Sequence, residues 1–144
     1  MDGDQLTIKR ANDLAAIPRI AAELEAFCSR HAIPRRDVNR FNLALEEVLT
    51  NAVSYGFPAG GRHEIDVRVR YDGGALNAVV SDDGVPFDPL AQSPVDLGVP
   101  IEQRRIGGLG IHLLRELTDT VAYRRDGERN VLAFRMAIGR RRIP

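Results

Sequence analysis

Residues 41–57, FNLALEEVLTNAVSYGF, constrain the fold of this chain more than any other stretch. At about 100° per residue, Phe41, Ala44, Leu45, Val48, Leu49, Ala52 and Val53 form one broad apolar face, and Glu47, Asn51 and Ser54 gather opposite it. A helix with so wide an apolar face must lie along a core, so the rest of the chain has to supply a surface that covers it. Glu47 and Asn51 are four residues apart and are therefore neighbours on the helix. A carboxylate beside an amide can hold a hydrated Mg²⁺ through oxygen and accept a proton next to it. Taken alone, the same side chains equally suit the solvated face of an amphipathic helix.

The covering surface reads as a sheet. Gly56, Pro58, Gly60 and Gly61 end the helix, and from Glu64 the apolar period falls to two, with Ile65, Val67, Val69 and Tyr71 alternating against Asp66, Arg68 and Arg70. Asp72-Gly73-Gly74 supplies a turn, and Leu76, Ala78 and Val80 return along a second strand that delivers Ser81-Asp82-Asp83-Gly84 to its end. Earlier in the chain, Leu6 and Ile8 mark a short strand. Asp13 then opens a helix through Leu14, Ile17, Ile20, Ala21, Leu24 and Phe27, and Pro18 requires that helix to begin near Ala15 or to bend. Pro34 separates it from the long helix and suits that helix's first turn.

Leu109 to Leu117 forms a third helix, and residues 120–123 and 131–138 a last hairpin around Asp126-Gly127. This order predicts an α+β fold, a two-layer α/β sandwich whose mixed, mostly antiparallel sheet is covered on one face by three helices. A doubly wound sheet would need parallel strands joined through helices, whereas both clear strand pairs are joined by tight turns.

The length suits one domain over residues 1–144, interrupted by a long, proline-containing loop at about 88–106. Twenty basic residues balance 20 acidic ones, so no overall field draws the protein to nucleic acid. No apolar run has membrane-spanning length and the N-terminus lacks a secretory pattern, which predicts a cytoplasmic protein with no membrane partner. Cys28 is the only cysteine, so no internal disulfide can form, and no cysteine–histidine cluster suggests a structural metal. The run Arg140-Arg141-Arg142 reads as a solvated tail.

Two further stretches carry chemistry. In VSDDGVPFDP, residues 80–89, the acidic pair before glycine can be a plain turn with Gly84 at positive φ. It can also be a base-binding element: Asp82 at a strand end can accept the exocyclic amine of adenine, and Gly84 lets a ring approach the backbone. In RIGGLGIHLLRELTD, residues 105–119, glycines precede a helix whose first N–H groups and positive dipole end can receive phosphate oxygens, or simply form a surface connection. The stretch matches neither the P-loop nor the dinucleotide fingerprint.

The combination is more specific than its parts. EEVLTNAVSYGF, then DDGVPFDP, then a long loop, then GGLGIHLL closely resembles the histidine-kinase-like (GHKL) ATPase domain with its Bergerat-type fold, and within it the free-standing anti-sigma-factor serine/threonine protein kinases of bacteria. The resemblance implies ATP and Mg²⁺ bound between the long helix, the sheet and a lid at about 88–106. It places Glu47 as the base that activates the attacking hydroxyl and Asn51 as the Mg²⁺ ligand. Asp82 becomes the adenine-binding carboxylate, with Gly84 and Phe87 beside the base, and Arg105, Gly107, Gly108, Leu109 and Gly110 fall at the phosphates. Tyr55 is a departure, because related sequences commonly have histidine before the glycine.

The implied function is an ATP-dependent serine kinase that phosphorylates an anti-anti-sigma partner of the STAS type and sequesters a sigma factor, with possible homodimerisation. The alternative is a non-catalytic, ATP-responsive binding module of a partner-switching system. A histidine-kinase fragment is disfavoured because His31, His63 and His112 do not sit on a dimerising hairpin ahead of the ATP site.

Overall fold

A computed structural model describes residues 4–91 and 108–139. The elements are strand β1 (Asp4–Ala11), helices α1 (Ala16–Arg30) and α2 (Arg35–Tyr55), strands β2 (Glu64–Tyr71) and β3 (Ala75–Asp82), helix α3 (Gly108–Leu117), and strands β4 (Thr120–Asp126) and β5 (Arg129–Ala137). The strands form one sheet in the order β1-β2-β3-β5-β4. Every pairing between these strands is antiparallel. The architecture is the expected α+β arrangement, and its mostly antiparallel character extends to every described ladder.

Local chemistry explains the boundaries. Asp13 builds a turn rather than the helix itself: its Oδ1 accepts the Ala15 N–H at 3.0 Å and its carbonyl accepts the Ala16 N–H at 2.9 Å. Helix α1 therefore starts at Ala16, and Pro18 falls in the first turn, where its missing N–H has no helical partner to lose. Pro34, with ψ of 139°, lies just outside α2 as its cap residue, one position earlier than expected. The β2–β3 turn uses Asp72, whose Oδ1 accepts the Gly74 and Ala75 N–H groups at 3.0 and 2.8 Å, while Gly73 takes φ of 89°.

The buried face of α2 is the one read from its periodicity. Phe41, Ala44, Leu45, Val48 and Leu49 join a cluster with Val67, Val69, Ala78, Val80, Leu132 and Phe134 of the sheet. The Phe41 and Phe134 rings meet at 5.1 Å between centroids. Each large side chain fully removed from water contributes roughly 1.5–3 kcal/mol before conformational entropy is charged, so this seam holds α2 firmly against the strands. Helix α1 adds Ile20, Leu24, Phe27 and Cys28. Along β2, Ile65, Val67 and Val69 are buried while Arg68 and Arg70 are exposed, as expected when helices cover one face of the sheet.

The ends of α2 are tied down as well. Asp37, buried in its first turn, accepts the Gly139 N–H at 3.1 Å just beyond β5. Among the described residues no helix is long and apolar enough to cross a membrane.

Candidate active site

The end of β3, the last turn of α2 and the start of β5 meet around one pocket. Its apolar wall is Val48, Ala52, Val80 and Leu132; Asn51, Asp82 and Asn130 add polar groups, and Gly56, Phe87, Pro89 and Tyr123 complete the lining. Asp82 is only 4% exposed. Its Oδ1 accepts the Gly84 N–H at 2.8 Å and the Asn130 side-chain N–H at 3.0 Å. Oδ2 makes no hydrogen bond with the described residues, so one carboxylate oxygen remains for a donor in the pocket.

Gly84 is required by close backbone approach, not by backbone sign. Its φ is not positive, contrary to the simple turn reading. A Cβ there would stand 2.4 Å from the Gly56 carbonyl oxygen and 2.9 Å from Asp82 Oδ1. The same Gly56 carbonyl accepts the Val85 N–H at 2.8 Å, which joins the end of α2 to the segment after β3. Gly56 is itself crowded, since a Cβ on it would lie 2.6 Å from the Ala52 carbonyl oxygen. Tyr55 stacks on Phe87, with ring centroids 5.0 Å apart and an interplanar angle of 29°.

On α2, Asn51 donates through Nδ2 to the Glu47 carbonyl at 2.8 Å and to Glu47 Oε1 at 2.9 Å. Both partners are acceptors, which fixes the amide orientation and leaves Oδ1 without a hydrogen bond to the described residues. Burial raises the Glu47 pKa above its ordinary value of 4.5, the Asn51 hydrogen bond opposes that, and the Glu46 charge adds to it. The net direction suits a group that accepts a proton. Glu46 is exposed and lines a different groove, with Ile17, Pro18 and Asn42 between α1 and α2.

Gly108, Leu109 and Gly110 form the first turn of α3, where the leading backbone N–H groups lack intrahelical acceptors. Arg105 and Gly107, with all of the expected lid beyond residue 91, lie outside the described residues. Its first residues include a short 3-10 turn, Pro89–Ala91.

Asn130 was not singled out from the sequence. Its register partner on β3 is Asp82. One sequence signal does exist: Asn130 shares the strand parity of Leu132, Phe134 and Met136, so a polar amide occupies a core-facing position.

The family model for the histidine kinase-like ATPase domain matches residues 11–136. The chain belongs to this family. Among curated proteins it is similar to the serine-protein kinase RsbW of Listeria monocytogenes, 32% identical over 102 residues that span 68% of this chain and 65% of that kinase. It is also similar to RsbW of Bacillus subtilis, 29% identical over 71% of this chain and 66% of the relative, and to RsbW of Halalkalibacterium halodurans, 25% identical over 85% and 75%. The chain thus spans about two thirds, 65%, of the length of the Listeria kinase.

The fold resembles the crystal structure of the RsbU and RsbW domains of Rv1364c from Mycobacterium tuberculosis, with a TM-score of 0.63 and 16% identity over 96% of this chain and 33% of that one. Membership in an ATPase family implies ATP as the ligand class for a pocket of this kind.

Proposed function

We propose that this chain is an ATP-dependent serine kinase acting as an anti-sigma regulatory factor, and that the pocket at the end of β3 is its nucleotide site. The observation that carries the reading is one pocket lined by a half-engaged Asp82 carboxylate and by Asn51, whose Oδ1 has no hydrogen bond among the described residues and whose Nδ2 holds a proton-affine Glu47. Adenine lies against Asp82, its exocyclic amine donating to Oδ2, with Gly84 and Phe87 beside the ring. Guanine presents a carbonyl at that edge and would leave the buried carboxylate unpaired. The phosphates extend toward the first turn of α3, where the N–H groups of Gly108, Leu109 and Gly110 and the helix dipole offset their charge. Gly107 and Arg105 belong to the same phosphate end, under a lid at about 88–106 in a single ATPase domain.

Among the described residues no group of three or more His, Cys, Asp or Glu side chains could hold a metal ion by itself. Mg²⁺ fits the site as an ion that arrives with the nucleotide, because it keeps phosphate and water ligands and needs few from protein. Asn51 Oδ1 would be its protein ligand. When bound, the ion neutralises charge on the phosphates.

Glu47 removes the proton from the attacking serine hydroxyl as the serine oxygen bonds to the γ-phosphorus. The bond from that phosphorus to the bridging oxygen breaks, and ADP leaves with the electron pair. The Asn51 hydrogen bond to Oε1 keeps the carboxylate in place, leaving Oε2 to take the proton. The serine belongs to a STAS-type anti-anti-sigma protein, and a sigma factor is the sequestered partner. Homodimerisation belongs to the same reading, and direct nucleic-acid contact does not.

The test is transfer of labelled phosphate from Mg·ATP to a panel of purified STAS proteins by wild type and Glu47→Gln, with ATP and GTP binding measured by calorimetry. We expect transfer to fall by about 10²–10⁴ in the variant with ATP binding kept. Equal transfer by both proteins overturns the role of Glu47. ATP binding with no transfer by wild type leaves the non-catalytic binding module as the function, and absence of ATP binding overturns the nucleotide site.

A further inference from the structure

We infer that Asn130 is the positioning residue that turns Asp82 into a selective reader of the nucleobase, an inference that rests on the nucleotide site proposed above. Asn130 is 7% exposed, and its amide joins five groups from three segments of the chain, the end of β3, residues 85–87 and β4. Its Nδ2 donates to Asp82 Oδ1 at 3.0 Å and to the Val85 carbonyl at 2.8 Å. Its Oδ1 receives the Tyr123 hydroxyl at 2.6 Å, Arg125 Nη1 at 3.2 Å and the Phe87 N–H at 3.2 Å.

This arrangement admits one orientation of the amide. Flipped, its oxygen would face a carboxylate and a carbonyl, both acceptors, while its NH₂ would face two N–H donors and the Tyr123 hydroxyl. The guanidinium of Arg125 locks the same corner, since Nη1 also donates to the Gly84 carbonyl at 2.8 Å. Asn130 therefore always presents donors to Asp82.

With one oxygen, Oδ1, held by both the Gly84 N–H and Asn130, the plane of the carboxylate is fixed, and the other oxygen, Oδ2, is offered to the pocket. Without Asn130, the Gly84 N–H is the one hydrogen bond left to Asp82 among the described residues. The carboxylate is then free to turn, and either oxygen can relax toward other donors. Asn130 does not need to touch the base to set what the base meets. The bonds to Val85 and Phe87 extend the effect, because the segment that flanks the ring is pinned by the same side chain.

A ligand pair isolates this role from general folding. ATP and purine riboside triphosphate differ only in the amine that Asp82 reads, so their affinity ratio reports the Asp82 contact. We expect wild type to favour ATP by about 10- to 100-fold, as suits a hydrogen bond to a charged group. Asn130→Ala should reduce that ratio to within about threefold of unity, whatever loss of affinity the two nucleotides share through the Val85–Phe87 segment. Asn130→Leu, which nearly keeps the volume and removes the donor toward Asp82, should also abolish the ratio.

Binding of purine riboside triphosphate certifies that each variant is folded. Should the alanine variant fail to bind it, the leucine variant decides. Undiminished preference for ATP in a folded variant overturns the positioning role and leaves the nucleotide site standing. Failure of wild type to bind either nucleotide overturns the site, and this inference with it.

Discussion

Alanine at position 84 is the sharpest test of how the pocket is closed. A Cβ at Gly84 would lie 2.4 Å from the Gly56 carbonyl oxygen, 2.9 Å from its carbon and 2.9 Å from Asp82 Oδ1. None of these atoms is the loose end of a flexible side chain. The Gly56 carbonyl is bonded to the Val85 N–H, and Asp82 is held from two sides, so relief requires separating α2 from the segment after β3. Overpacking of this kind costs about 1–3 kcal/mol, and contact with backbone points to the upper end, about 3 kcal/mol.

At an unfolding entropy of about 2.1 cal/mol/K per residue, a chain of 144 residues loses ~3 °C per kcal/mol, so Gly84→Ala should melt about 10 °C below wild type. Gly74→Ala is the control. Its φ is not positive and its Cβ would meet only Asp72 Oδ1, at 3.7 Å, so a shift within about 2 °C is expected. Thermal unfolding of the two variants in parallel, followed by circular dichroism, reads the difference. A Gly84→Ala protein that melts within 2 °C or so of wild type would refute the close-approach argument.

Three further outcomes follow from protonation and burial. Because burial raises the Glu47 pKa above 4.5, the native state binds that proton more tightly than the unfolded chain, and stability falls as pH rises from about 4.5 through the raised value. Glu47→Gln removes this term, so it should be no less stable than wild type at pH ~7 in urea titrations, and a clear loss would contradict the burial cost. Asp72 moves the other way: Arg135 and the Gly74 and Ala75 N–H groups hold its pKa far below 3.8, giving stability that is present above about pH 3.8 and lost as pH falls through the lowered value. Arg135→Ala should flatten that acid limb, by ~1 kcal/mol or less because the pair is solvent-screened, as melting temperatures between pH ~2 and ~5 would report. Cys28 is buried, with its thiol pushed up to about 11, so it should react with a thiol reagent at neutral pH only after denaturant is added.

The parts of the fold that were legible in the sequence are those whose cause is local. The apolar stripe of α2, the change of period at Glu64 and the Asp72-Gly73-Gly74 turn each depend on neighbours within a few residues, and each lies where its chemistry put it. The strand order does not follow from such signals. That β5 inserts between β3 and β4 is set by the packing of distant segments. The reason for Gly84 was likewise hidden, since a clash with Gly56 depends on how the end of α2 meets the end of β3. Asn130 was harder still: its partners are 48 and 45 residues away at Asp82 and Val85, and its local signal is no more than an amide at a core-facing position of β5.

The departure at Tyr55 gains a physical meaning from the same contacts. Its ring stacks on Phe87, whose backbone N–H donates to Asn130 Oδ1, while Asn130 Nδ2 holds Asp82. A residue on the last turn of α2 is thus connected to the carboxylate of β3 through a ring pair and one amide. An aromatic at position 55 supplies the flat partner that Phe87 packs against, and Phe87 in turn presents its N–H where Asn130 needs a donor. Exchanging Tyr55 for a smaller side chain would remove the ring contact with Phe87, which is joined to Asp82 through Asn130. The residues nearest the pocket and Tyr55 are in this way parts of one linked unit.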